Sequence, residues 1–477
     1  MRTITKWMFL LCIFAGMAFT AFAQPQLPAI LSSDMVLQQG QPVPVWGTAA
    51  ANERIEVTLG DQKVATRADR EGNWSVTLNP LTASKTPRTL TVKGRRESVV
   101  LNNILVGEVW LCSGQSNMQY AMRRGSGLFP PAKGEDLAAL ELEKPANNLI
   151  RVFTMGRGRN AVSAWQVADG ESLANVSAAG YYFGKKVQEE LDVPVGIITS
   201  AVGGTRIEPW TPVWGYEQSA LFAPQLVAGG GQIDGAAPAQ LYESLIAPLA
   251  PFAVKGFLWY QGESNCSQRD RQYAEKYETM VDSWRQAFQN PDAPFYSVLL
   301  GPHIYSDRLH RGTAVTAEEL PVFWMQQIEA LSIPNTEMIV ISDLIDDLKD
   351  IHPSYKWTVG ERLAETALAN TYAKNAGLWS GPRLAETRIV VDSIQLRFDY
   401  AGDGLKTNDE KRLNWFEIAG ADGVFHPAIA EFREKDKVIV YHPEIARPVQ
   451  VRFGWHETAI PNLVNSDNLP AMPFRYE

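Results

Sequence analysis

From about Gln24 to Val106, apolar and polar positions alternate in short segments, Arg54 to Leu59, Trp74 to Leu78 and Thr89 to Val92, separated by polar turns such as Asp69-Arg70-Glu71-Gly72-Asn73. Period-two alternation puts one face of each segment on a core, so this stretch predicts a small β-sandwich. Gln41 to Trp46 carries prolines at 42 and 44 and suits an edge strand, because proline donates nothing to a ladder. At Ile104 the pattern changes. Ile104 to Cys112 is nearly continuously apolar, which marks a strand buried on both faces. Similar runs recur at Val195 to Ser200, Lys255 to Tyr260, Phe295 to Leu300 and Glu337 to Ser342. Between them lie helical patterns at Ala178 to Leu191, Arg271 to Gln289, Trp324 to Leu331 and Tyr355 to Leu368. Strand alternating with helix predicts a three-layer α/β domain with a mostly parallel sheet. After about Ser380 short strands return at Arg388 to Phe398, Trp415 to Ile418, Val438 to Tyr441 and Val449 to Trp455, a second β region. The expected division is 24–105, 106–380 and 381–477.

The first residues change the picture of where the chain works. Arg2 and Lys6 lead into the apolar run Trp7 to Phe19 and the small-residue site Ala21-Phe22-Ala23, the pattern of a secretory signal over residues 1–23. A spanning helix needs roughly 20 apolar residues, and no comparable run recurs. The expectation is a secreted or periplasmic protein with no membrane span after signal cleavage. With 45% hydrophobic and 20% charged residues, 477 residues can bury a sizeable core. A net charge of -9 without a basic cluster argues against nucleic acid, whose partners concentrate Lys and Arg. Cys12 leaves with the signal, so Cys112 and Cys266 remain, either paired in an oxidising compartment or as buried free thiols. Neither has the spacing of a metal site, and none is expected.

In open α/β sheets ligands bind beyond the carboxyl ends of the strands, and four such loops carry chemistry. Ser116, in Gly114-Gln115-Ser116-Asn117-Met118, follows the first core strand and reads as a nucleophile or as a helix N-cap. Gly203-Gly204, in the loop through Arg206 to Trp210, lets backbone amides approach a ligand closely, as an oxyanion hole requires, or simply makes a tight turn. Gln261-Gly262-Glu263-Ser264-Asn265 clusters polar groups at another strand end, as a capped helix start also would. Asp350-Ile351-His352-Pro353 sets an acid beside a histidine, as a general base held by a carboxylate needs, or forms a surface salt link.

Together these loops resemble the sialate O-acetylesterase family of SGNH-type serine hydrolases. The resemblance runs through Leu111 to Met118, Gly203-Gly204-Thr205 with Trp210, Trp259 to Ser264, and Asp350 to Pro353 with Lys356 and Gly360 to Leu363. It also reaches Ser33 to Gln38, Asn462 to Ser466 and Leu469 to Phe474, nearly the whole mature chain. It implies a flavodoxin-like three-layer SGNH hydrolase domain with flanking N-terminal and C-terminal β-sandwich regions. Ser116 would be the nucleophile, His352 the general base and Asp350 the acid that orients it. Amides of Ser116 and Gly203 or Gly204 would form the oxyanion hole, with the Gln261 side chain as a further donor. Wider SGNH enzymes place an asparagine in the third block and the acid three residues before the histidine. Here position 349 is Lys, so Asp350 is the candidate, with Glu263 as its rival.

The implied reaction attacks an acetyl carbonyl with Ser116 and frees acetate from an acetyl-serine, requiring neither metal nor organic cofactor. Trp210 and Arg206 are candidates for a stacking platform and a carboxylate clamp on the acetylated sugar, although Trp210 could equally pack its own loop. The expected substrate is an O-acetylated sialic acid. Acetylated xylan or xyloglucan is the alternative, and a non-catalytic carbohydrate-binding protein is the alternative of another class.

Overall fold

The computed structural model describes residues 24–156, 163–307, 309–310, 313–374 and 377–477; the expected signal, residues 1–23, lies outside them. The central sheet has the spatial order Thr336–Ile339, Phe295–Val298, Gly256–Tyr260, Ser98–Gly114, Val195–Ala201, Asn147–Thr154 and Trp165–Ala168. Every neighbouring pair is parallel except the last, which is antiparallel. In the central strand, Trp110, Leu111 and Cys112 are fully buried, which accounts for its unbroken apolar run.

Two sets of helices cover this sheet, and side-chain alternation shows which face each takes. Trp110 meets Phe183 of the helix Ala178–Leu191 at 4.9 Å between ring centroids. Phe257, paired in register with Leu111 and so pointing the other way, meets Trp284 of the helix Tyr273–Ala287 at 5.6 Å. The two helices therefore lie on opposite faces, and the layer count is three.

The strand Ser98–Gly114 is also a seam. Its first half pairs antiparallel with Ser84–Lys93, Leu105 to Gly107 pair parallel with Val36–Gln38, and Glu108 onward enters the central sheet. Residues 105 and 106, the expected boundary between the first two segments, lie inside it. One apolar cluster accordingly runs from Ile30, Val57 and Leu90 through Trp110 to Ala367. The C-terminal region has its own cluster, with Ile394, Leu396, Ile418, Val440 and Phe453. It lies among the antiparallel sheets Arg383–Val390, Ser393–Asp399, Lys437–Tyr441, Ile429–Glu434 and Phe425–Pro427, Phe416–Ala419, Gln450–Phe453, Phe474–Tyr476. Glu457 ties this region to the α/β layer, its carboxylate accepting from the amides of Tyr305 and Ser306 at 2.6 and 2.8 Å.

Some elements differ from the hydropathy reading. The single strand expected at Arg388 to Phe398 is a hairpin, Arg383–Val390 with Ser393–Asp399, because a two-residue turn at Val391-Asp392 leaves the apolar pattern almost unbroken. The helix expected from Trp324 starts at Glu319; Pro321 sits in its first turn, where a missing N–H costs nothing. Cys112 and Cys266 are both buried and are not joined to each other by a disulfide. Among the described residues no helix is long and apolar enough to cross a membrane.

Gly114 closes the central strand at φ +136°, and a Cβ there would stand 2.2 Å from the Tyr260 carbonyl oxygen. Gly114→Ala is expected to lower the unfolding free energy by about 2 kcal/mol or more, through clash and backbone strain together. A lower urea midpoint at unchanged m-value is the measurement.

Candidate active site

Ser116 opens a four-residue helical turn, Ser116–Gln119, just past the central strand. Before it, Gln115 is extended, and its amide donates to the Tyr260 carbonyl at 3.0 Å. The Gln115 carboxamide oxygen accepts from Gln261 Nε2 at 3.2 Å and from the Ser264 amide at 3.3 Å. Two strand-end loops are thereby joined beneath Ser116, which is itself half-buried.

His352 comes from the loop before the helix Lys356–Asn370. Its Nε2 lies 2.9 Å from Ser116 Oγ, the distance at which an imidazole can take the hydroxyl proton as the oxygen attacks. Asp350 Oδ1 accepts the His352 backbone N–H at 2.8 Å and stands 3.8 Å from His352 Nδ1. That separation is an ion-pair distance, too long for a hydrogen bond. Asp350 thus shapes the loop and presents negative charge to the ring. Glu263 is nearly fully buried, and its Oε1 accepts from Asn117 Nδ2 at 2.5 Å.

Gly203 and Gly204 are exposed beside the hydroxyl. A Cβ on Gly203 would stand 3.4 Å from Ser116 Cβ, so the two residues are close enough to share one oxyanion between their amides. The Gly203 amide donates to the exposed Gln119 side chain at 2.8 Å, a partner that an incoming carbonyl oxygen can replace.

Three other expected residues are used differently. Gln261 is fully buried, its Nε2 donating to Thr205 O at 3.1 Å and Asn265 Oδ1 at 2.8 Å while its Oε1 accepts from Tyr273 at 2.9 Å. With both ends committed, it ties loops together and offers no donor to an oxyanion. Trp210 is fully buried, with its indole N–H on Thr205 Oγ1 at 3.0 Å and its ring edge-on to Trp259; it packs the loop and presents no stacking face. Arg206 pairs with buried Glu208 and donates to the Asp234 carbonyl at 3.0 Å, so its guanidinium is held within its own loop.

The sequence reading missed what anchors that loop. Lys276, fully buried, contacts Glu208 Oε1 at 2.9 Å, Asp270 Oδ2 at 2.8 Å and Asp234 Oδ2 at 2.5 Å. Burial opposes its charge, yet Glu208, Asp270 and Asp234 carry its pKa above the usual lysine value. The three carboxylates converge in the manner of metal ligands, but the ammonium already stands among them. Asp270 lies six residues before Lys276, just ahead of the helix that carries it, but Glu208 and Asp234 come from distant segments. Burial likewise pulls Lys356 down to about 7, against the opposing charges of Glu263 and Asp350. Larger surface hollows, of about 540 and 730 Å³, lie on the N-terminal β region around Arg67 and Trp46. Hydrogen-bond geometry, not cavity size, therefore locates the candidate site.

Residues 106–369 match the family described as carbohydrate esterase, sialic acid-specific acetylesterase. The human sialate O-acetylesterase is 26% identical over 78% of this chain and 75% of its own length, and the mouse enzyme 23% identical over 97% and 96%. A solved carbohydrate acetylesterase from Xanthomonas citri is 32% identical, covers 95% of this chain and 99% of its own, and superposes with a TM-score of 0.82. The matched span contains the second half of the central strand, Ser116, both glycines and His352, and the chain belongs to the sialic acid-specific acetylesterase family of carbohydrate esterases and is a carboxylic ester hydrolase.

Proposed function

We propose that the protein is an SGNH-type serine esterase that removes O-acetyl groups from sialic acids through an acetyl-serine intermediate. The observation that carries this reading is the 2.9 Å contact between His352 Nε2 and Ser116 Oγ. Support for the SGNH assignment comes from the sheet. Leaving aside Asn147–Thr154 and its antiparallel partner, the strands taken in chain order lie as 2-1-3-4-5 across it, the flavodoxin-like arrangement, with Ser116 after the first.

In the proposed reaction His352 removes the Ser116 proton as Oγ adds to the acetyl carbonyl. The oxyanion is met by the amides of Ser116 and Gly203, with Gly204 at φ +71° turning the chain away. The imidazolium then protonates the departing sugar oxygen. Water, deprotonated by the same ring, releases acetate and restores the serine. Asp350 stabilises the imidazolium, with Glu263 behind it as the rival acid. Export, expected from the first residues, would place this chemistry outside the cytoplasm, and the expected division into 24–105, 106–380 and 381–477 would confine it to the middle segment.

A second reading, acetyl removal from xylan or xyloglucan, is favoured by the engagement of Arg206 with Glu208, which leaves that arginine no free fork for a sialate carboxylate.

Ser116→Ala is expected to lower kcat by about 10⁴-fold; a variant keeping more than about a hundredth of the activity on a chromogenic acetate ester removes Ser116 from the mechanism. Asp350→Asn is expected to cost more in kcat than Glu263→Gln under the same assay, and the reverse order hands the acid role to Glu263. Acetate release compared between O-acetylated sialic acid and acetylated xylan is expected to favour the former; a higher kcat/KM on xylan selects the second reading.

A further inference from the structure

Lys356 takes no part in the steps above, yet it lies at their centre. Its ammonium is fully buried. Nζ donates to the Pro353 carbonyl at 2.5 Å and to Asn117 Oδ1 at 2.8 Å. Asn117 in turn donates from Nδ2 to the Ile351 carbonyl at 2.9 Å. The two carbonyls held in this way belong to the residues immediately before and after His352. Asn117 immediately follows Ser116. One carboxamide and one ammonium therefore link the turn that presents the hydroxyl to the carbonyls of the two residues that flank His352.

The remaining surroundings of Lys356 are aromatic and acidic. Its Nζ lies 4.8 Å from the Tyr120 ring centroid and 5.3 Å from that of Tyr260, and the charges of Glu263 and Asp350 act on it. Burying an ammonium is expensive unless it is hydrogen-bonded and electrostatically matched. A methionine would fill nearly the same space without that cost. What the lysine adds is thus the pair of hydrogen bonds and a positive charge close to two carboxylates. Its pKa near 7 places any change in that charge within the range where a histidine base also titrates.

We propose that Lys356, acting through Asn117 and Pro353, is a positioning residue for the esterase reaction: it sets the His352 ring at hydrogen-bonding distance from Ser116, and its ammonium offsets the Asp350 and Glu263 carboxylates. The proposal rests on the Ser116–His352 reading. Geometry and charge make separable demands. Loss of the hydrogen bonds loosens the ring, and small misplacements of a catalytic group cost large factors in rate. Loss of a nearby cation favours the imidazolium, so the histidine stays protonated to higher pH.

The test uses the full chain, with folding checked by circular dichroism and thermal midpoint. Lys356→Met is expected to lower kcat on a chromogenic acetate ester by about tenfold or more while KM changes by less than about threefold. The acid limb of its kcat/KM profile is expected to move to higher pH. Asn117→Ala keeps the ammonium and breaks the link, so kcat is expected to fall with the acid limb in place; should Lys356→Met fail to fold, this variant decides the positioning claim. Folded variants with kcat within about twofold of the parent and unmoved acid limbs overturn the proposal. Ser116→Ala run alongside tells the two failures apart. Activity retained there sinks the Ser116 reading itself, whereas an inactive Ser116→Ala beside parent-like Lys356→Met and Asn117→Ala sinks the clamp alone.

Discussion

The central strand ends against the carbonyl of Tyr260, with Gly114 passing too close for any side chain and the Gln115 amide bonding to that same oxygen. This contact decides where the next residue stands. Two adjacent parallel strands are locked at their carboxyl ends, and Ser116 emerges half-buried at the rim with its helical turn already begun. The other active-site loops are arranged around that fixed point. Gln115 gathers the third block, Gly203 lies against Ser116 Cβ, and His352 reaches in from the far end of the chain.

Polar groups below the rim do the holding, and they are what the sequence hid. The strands at Val195, Phe257 and Thr336 were readable because parallel strands buried on both faces need continuous apolar runs. Gln62–Arg67 and Asn147–Thr154 escaped notice, one because its residues are mostly polar, the other because Asn147, Asn148 and Arg151 interrupt its apolar run. For the site, Ser116 and His352 were legible from their places after apolar strands. Gln261, Trp210 and Arg206 invited a ligand-facing reading because those residue types so often bind sugars or oxyanions. Their partners, Tyr273, Thr205 and Glu208, engage them internally, and a preference of residue type carries no information about which way a side chain turns.

The buried ion cluster around Lys276 illustrates the same point from the side of energetics. Glu208, Asp234 and the Asp270–Lys276 segment approach one another only after three separate stretches of the chain have folded. Glu208, Asp270 and Lys276 would each be costly alone in the interior, and with the exposed Asp234 they compensate. Their mutual attraction holds the loop bearing Gly203 and Gly204 without drawing on the Gly203 amide, whose partner is the exposed Gln119 side chain. A rigid support beneath a backbone donor is what electrostatic stabilisation of a transition state requires, since the donor must already point correctly when charge develops.

The seam strand carries a last implication. Because Ser98–Gly114 begins in the leading β region and finishes under Ser116, with one apolar cluster on both sides, the α/β layer has no clean point of excision at its start. Trimming the chain to begin at residue 106 would strip the pairing partners from Val106 and Gly107 and bare an unpaired strand edge, an invitation to self-association. A transplant of this catalytic centre into another scaffold would have to take the leading strands along, whereas the trailing sheets, with an interior of their own, are the natural place for scission or exchange.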